Sequence, residues 1–252
     1  MLNIKNLSVR VEKKQILNDF NIDIEPHTIH VIMGPNGVGK STLSKVIMGS
    51  NNYEVLSGNI IFSGENINSL PTYERARKGI FLCFQNPSEI EGVTNTEMIR
   101  TAINSRLEKN IGIYDFIKQV DKVSKEVKLS DELLKRGVNV GFSGGEKKKN
   151  EVLQLKMLKP KLIILDEIDS GLDIDSLRIV GDNIMDYYQN SSDVSILIIT
   201  HYPRILEYLR PDYVHIMKDG RIVKTGNLDL AYELEKNGYD EISIIEGSKD
   251  NE

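Results

Sequence analysis

Residues 34–41 read GPNGVGKS. This is the spacing G-x-x-x-x-G-K-S, and each residue type in it has a physical reason to be there. Gly34, Gly37 and Gly39 let the backbone turn and approach an anion with no Cβ in the way. The loop built from Gly34, Pro35, Asn36, Gly37, Val38 and Gly39 aims its N–H groups, and the helix end behind it, at a phosphate chain. Lys40 supplies a point charge for the outer phosphates. The Ser41 hydroxyl is a ligand for Mg²⁺, and Thr42 adds a second hydroxyl beside the phosphates.

Five other groups carry chemistry. LIILDE (162–167) is an apolar strand that ends in two acids. Asp166 at the strand end suits a water-bridged Mg²⁺, and Glu167 suits orienting or polarising an attacking water. Gln85 follows a short apolar run and is placed to contact the metal or that water. His201 also follows an apolar run; beside a terminal phosphate it can donate a hydrogen bond and orient water. FSGGE (142–146) opens a helix, with Ser143 as N-cap and Glu146 three residues on, a capping box. The same helix start, with the bare backbones of Gly144 and Gly145, is also a phosphate clamp. One nucleotide does not need two clamps from one chain. If two chains pack head to tail, each clamp closes on the nucleotide held by the other. Asp173, in SGLD (170–173), is placed to signal across such an interface.

These residues need elements to hold them. Alternation in the first thirty residues predicts strands with one buried face. Residues 29–33 read as a strand buried on both faces, of the parallel-sheet type, followed by the glycine loop and a helix over 41–48. Residues 51–68 read as short strands broken at Ser57-Gly58 and Ser63-Gly64. A helix is expected over 71–78 and a strand over 79–84. From 86 to 150 the pattern turns to amphipathic helices, over 98–107, 114–127 and 131–136, with polar connections. This is a candidate helical subdomain inserted into the core. A helix over 146–158, strands over 161–166 and 195–200, helices over 175–189 and 205–209, and a hairpin turning at Asp219-Gly220 follow. The tail from about Gly247 is polar and expected to fray.

The chain has 252 residues, 40% of them apolar and 27% charged, with net charge −5. That suits a globular protein and argues against nucleic-acid binding, which needs surplus cation. The single cysteine, Cys83, rules out an intrachain disulfide and a multi-cysteine metal site, and suggests a reducing compartment. No apolar run is long enough to span a bilayer, and the start of the chain reads as strand rather than leader.

Taken in order, GPNGVGKS, Gln85, FSGGE, LIILDE, SGLD and His201 resemble the ATP-binding cassette ATPase family, over nearly the whole chain. The resemblance implies an α/β P-loop NTPase fold spanning 1–252, with a RecA-like core, an N-terminal antiparallel β subdomain and a helical subdomain at about 86–150. It implies ATP and Mg²⁺ as ligands, with Ser41, Gln85 and Asp166 at the metal. Glu167, Gln85 and His201 would be catalytic, and Ser143, Gly144, Gly145, Glu146 and Asp173 would reach nucleotide across a transient homodimer. More finely, YEVLSG (53–58), PSEIEGVTN (87–95), VNVGFSGGEKKKNE (138–151) and the stretch 200–226 are similar to the ATPases of the SUF iron–sulfur cluster assembly system. Such chains act on SufB-type and SufD-type scaffold partners, without membrane insertion, in a bacterial cytoplasm or plastid-type organelle. The nucleotide-binding subunit of a membrane transporter is the alternative. Two departures stand out. Residues 9–16, VRVEKKQI, offer no aromatic to stack on adenine. Lys147, Lys148 and Lys149 crowd the FSGGE helix, as a solvated basic face or with Lys148 pairing with Glu167.

Overall fold

The computed structural model describes residues 1–239; the polar tail from Gly247 lies outside them. Two strands open the chain, β1 (Leu2–Val11) and β2 (Lys14–Ile24). Their buried residues fall at Leu2, Ile4, Leu7 and Val9, and at Leu17, Phe20, Ile22 and Ile24. The period-two phase slips once in each strand. At those points Asn6 (φ 51°) and Asp19 (φ 50°) take left-handed backbone, and the register shifts there. A bulge in each strand thus returns the apolar side chains to the same face.

Then come β3 (Ile29–Met33), α1 (Lys40–Ile47), β4 (Glu54–Phe62), β5 (Glu65–Asn66), α2 (Thr72–Lys78) and β6 (Ile80–Cys83). The expected break at Ser57-Gly58 does not occur. Strand β4 runs through it, and Gly58 (φ 91°) absorbs the bulge opposite Asn6. Strand β7 (Ile90–Thr94), helices α3 (Asn95–Asn104), α4 (Ile113–Glu126) and α5 (Asp131–Lys135), and strand β8 (Gly137–Val138) follow. The pairing of β7 with β8 closes this segment on itself and has no counterpart in the polar connections expected from the sequence. The chain continues with α6 (Gly144–Leu158), β9 (Leu162–Asp166), α7 (Ile174–Gln189) and β10 (Ser195–Ile199). A 3-10 turn (Pro203–Glu207) stands where a helix over 205–209 was expected. It leads into β11 (Tyr213–Lys218), β12 (Arg221–Gly226) and α8 (Leu228–Asn237).

The strands form a four-stranded antiparallel sheet, β2-β1-β4-β5, and a six-stranded sheet, β12-β11-β3-β10-β9-β6, parallel except for β12. The central sheet is sandwiched. Ile163, Leu165, Ile196 and Ile198 join Val152, Leu155 and Val180 of α6 and α7 on one side. Leu162, Ile164, Leu197 and Ile199 meet α1 and the antiparallel sheet on the other. That is why these strands read as unbroken apolar runs. Each such buried Leu or Ile contributes about 1.5–3 kcal/mol, so the core is fixed by many small terms. Strand β3 contains one exception. His30 is buried within it, bonded to buried His215 of β11 (Nδ1···Nε2 2.9 Å) and to Thr28. The hairpin turn Asp219-Gly220 (φ 48° and 76°) has the all-positive backbone of a type I′ turn, and both of its carbonyls accept hydrogen bonds from Asn18 of β2.

Candidate functional site

In an open parallel sheet, ligands bind beyond the carboxyl ends of the strands. Strands β3, β10, β9 and β6 lie side by side, with Ile32 opposite Ile199, Ile199 opposite Asp166, and Leu165 opposite Cys83. Their exits therefore deliver the glycine loop, Thr200-His201, Asp166-Glu167 and Phe84-Gln85 to one edge.

The loop is shaped by close approach. Gly39 has φ 108° and precedes α1 without any side-chain cap. A Cβ there would lie 3.0 Å from Ile16 and Leu17 of β2. At Gly34 a Cβ would lie 2.3 Å from the Met217 carbonyl oxygen, so packing on β11 by itself already demands a glycine there. Lys40 is buried, and its Nζ donates to the carbonyls of Gly34 (2.7 Å) and Pro35 (2.9 Å). Burial lowers its pKa to about 8, against the pull of Glu167 and Asp166. Asn36 and Gly37 are exposed at the loop tip, and Val38 and Thr42 are half-buried.

Asp166 is buried, and its two carboxylate oxygens accept from Ser41 Oγ (3.1 Å) and Ser44 Oγ (2.7 Å). Burial raises its pKa, and the two hydroxyls oppose that rise. Ser44 was not among the residues singled out from sequence. Its signal is the i, i+3 spacing from Ser41, which puts both hydroxyls on one helix face. Glu167 sits in left-handed backbone (φ 49°), a conformation that costs a residue with a Cβ about 1 kcal/mol or more. Its N–H donates to the Ile199 carbonyl. Its carboxylate accepts from Gln85 Nε2 (2.5 Å) and pairs with His201 Nε2 (3.0 Å). Behind it, Thr200 Oγ1 lies 3.1 Å from both carboxylate oxygens of Asp169, tying the turn after β9 to the end of β10.

A pairing of Lys148 with Glu167 is not what the structure holds, and neither is a solvated Lys148. Lys148 is buried and pairs with Glu151 (3.2 Å), while Gln85 and His201 take the Glu167 carboxylate.

A second cluster stands apart. Ser143 Oγ accepts from the Glu146 N–H, and the Glu146 carboxylate accepts from the Ser143 N–H at 2.8 Å, completing the capping box. The Ser143 N–H bond holds the Glu146 carboxyl below its ordinary pKa. Asp173 caps α7 through the Ser176 N–H and hydroxyl, both at 2.8 Å. A Cβ on Gly145 would lie 2.8 Å from Ser176 Oγ, so a side chain there would push that hydroxyl off Asp173. Ser143, Gly144 and Asp173 are exposed. Among the described residues no hydrogen bond joins this cluster to the glycine loop.

A glycine-rich loop at a helix start, a buried acid and a hydrogen-bonded second acid on the edge of a parallel sheet define a P-loop nucleotide hydrolase. Residues 17–170 match the family described as "ABC transporter", and the chain belongs to it as an ATP-binding cassette ATPase, an ATP hydrolase by class. It is 48% identical over 251 residues to "Vegetative protein 296" of Bacillus subtilis, covering 99% of this chain and 95% of that one. It is 47% identical over 253 residues to "Probable ATP-dependent transporter ycf16" of Cyanophora paradoxa, covering 98% and 96%. The fold is similar to the cassette MJ0796, solved as a dimer (TM-score 0.78, 20% identity, 90% of this chain and 99% of that one). Among the described residues no helix is long and apolar enough to cross a membrane.

Proposed function

We propose that this chain is the ATPase subunit of a SUF-type iron–sulfur cluster assembly complex, acting as a single domain over 1–252 with its helical subdomain at about 86–150. The observation that carries the hydrolytic part is Glu167, held between Gln85 and His201 one residue beyond the buried Asp166. ATP enters by displacing the Gly34 and Pro35 carbonyls from Lys40, whose Nζ then takes the outer phosphates. Thr42 and the loop from Pro35 to Gly39 enclose the chain. Ser41, Asp166 and the Gln85 carbonyl form an all-oxygen donor set that suits Mg²⁺. Bound there, Mg²⁺ supplies charge neutralisation of the phosphates. Glu167 orients the attacking water, and His201 donates to the terminal phosphate. Across a homodimer, Ser143, Gly144, Gly145 and Glu146 of one chain clamp the nucleotide of the other, with Asp173 at the seam. Loss of the terminal phosphate removes the contact that favours the closed state.

The SUF assignment is supported by the FSGGEKK start of α6 and by the run 200–226. Its partners are SufB-type and SufD-type scaffold proteins. Their docking site is an apolar groove of about 960 Å³ beside Gln85, lined by Phe84, Pro87, Ile90, Val93 and Met98. The cluster does not sit on this chain: Cys83 is buried, and burial drives its thiol pKa well above the ordinary range. The transporter-subunit reading is favoured by the names of relatives such as ycf16, a probable ATP-dependent transporter. Purification from the native source with MgATP separates them. Scaffold-type partners without membrane spans are expected; an integral membrane partner establishes the alternative. Glu167→Gln is expected to bind ATP and slow turnover by at least about a hundredfold, measured as phosphate release. Normal turnover removes the acid from the mechanism.

A further inference from the structure

The pair Lys148–Glu151 does something its helix does not require. Both residues lie on α6, three apart, with side chains only 4% exposed. Burying an ion pair costs desolvation that mutual attraction repays only when the remaining polar atoms are also bonded. Here those atoms are spent on the backbone of one residue just beyond β6, Phe84. Glu151 Oε1 accepts the Phe84 N–H at 2.7 Å, and Lys148 Nζ donates to the Phe84 carbonyl. The next residue is Gln85, whose Nε2 donates to Glu167 Oε2.

We propose that Lys148 and Glu151 are positioning residues for hydrolysis: they hold the backbone N–H and the carbonyl of Phe84, one in each peptide flanking its Cα, and thereby set where Gln85 meets Glu167. The proposal rests on the reading of Glu167 and Gln85 as hydrolytic groups. It gives the lysine-rich start of α6 a task that neither a solvated face nor a direct contact with the acid provides. It also links the two clusters. The helix that opens at Ser143-Gly144-Gly145 holds, one turn later, the loop that reaches the acid, so a shift of α6 on dimer closure is carried to Gln85 through two side chains. Burial pushes Glu151 up to about 7 despite the Lys148 charge, and the buried Cys83 thiol of β6 feels both charges.

The test uses Lys148→Met and Glu151→Gln in the full-length chain, each alone and each combined with Glu167→Gln. Folding is checked by thermal melting, nucleotide affinity by titration, and kcat and KM by phosphate release. The expected result is an ATP Kd within about twofold of wild type and kcat reduced about ten- to a hundredfold, as for misplacement of a catalytic group. In the Glu167→Gln background the same substitutions cost no more than about twofold, because the group they position is already lost. If either single variant unfolds, the neutral combination Lys148→Met/Glu151→Gln is read the same way. Unchanged kcat in folded variants overturns the proposal, as do losses that multiply fully with Glu167→Gln. Normal turnover of Glu167→Gln alone instead overturns the acid's role, and is read separately.

Discussion

Lys40 is the residue at which burial and function oppose each other. Its ammonium sits at about 8 because burial disfavours the charge, while Glu167 and Asp166 pull it back up. A triphosphate binds the charged form, so binding raises this pKa and takes up a proton once the pH exceeds about 8. Affinity for an ATP analogue is expected to be level below pH 8 and to fall above it, by up to about tenfold per pH unit. Calorimetry in buffers of different ionisation enthalpy reads both the affinity and the proton uptake. Lys40→Ala should lose productive binding and, with it, the pH step. The base end of the site is a different matter. The run 9–16, VRVEKKQI, contains no aromatic, and its aliphatic residues Val11 and Ile16 are half-buried. Stacking on an aromatic is worth about 1–3 kcal/mol per base. Competition between ATP and GTP should therefore show weak preference for adenine; a strong preference would mean that another side chain reads the base.

Elements divide cleanly into what local sequence can announce and what it cannot. Strand β3, the loop and α1, the acid pair ending β9, and the capping box of α6 were legible because each is a contiguous stretch whose residue types have local physical reasons. The Asn6 and Asp19 bulges were not, since a period-two pattern with one slip reads the same whether the chain bulges or breaks. The Ser44–Asp166 bond, the Lys148–Glu151 grip on Phe84 and the His30–His215 pair join residues far apart in sequence, and no single stretch signals them. His30 was hidden in a run that reads as apolar. The pair has a measurable consequence. Burial holds both imidazoles at about 4, against the pull of Asp212 and Asp23 on His30. Their unfolded pKa is about 6.5. Between those values the unfolded chain binds more protons, so their contribution to stability is complete above pH 6.5 and is lost as pH falls toward 4. Glu151, raised by burial, works in the opposite direction, so the informative quantity is a difference. Urea midpoints of wild type and His215→Gln should converge as pH drops from 7 to 4.5. A gap that stays constant would mean that the pair does not titrate on unfolding.

At the scale of the molecule, the fold separates the two clusters that the proposed mechanism brings to one nucleotide. The glycine loop, Asp166, Glu167, Gln85 and His201 share one edge of the central sheet. Ser143, Gly144 and Asp173 stand exposed at the starts of α6 and α7, and among the described residues the Ser143 and Asp173 side chains bond only within their own helix starts. Two copies related by a two-fold axis would place each exposed start on the other's loop, and both sites would then be equivalent. That geometry makes a strict prediction for mixtures. Lys40→Ala lacks a loop that holds phosphate, and Ser143→Arg blocks the clamp, so each alone should be inactive although each should melt cooperatively. When they are mixed in equal amounts, half of the dimers carry one of each. Each such dimer has one fully intact site, formed by the loop of the Ser143→Arg chain and the clamp of the Lys40→Ala chain. Turnover should reappear on mixing, to at most about a quarter of the wild-type rate. Recovery should grow with the square of total protein at low concentration, because the active species is a dimer. If two folded inactive chains stay inactive at every mixing ratio, the nucleotide is not shared between subunits, and the exposed helix starts serve only to cap their own helices.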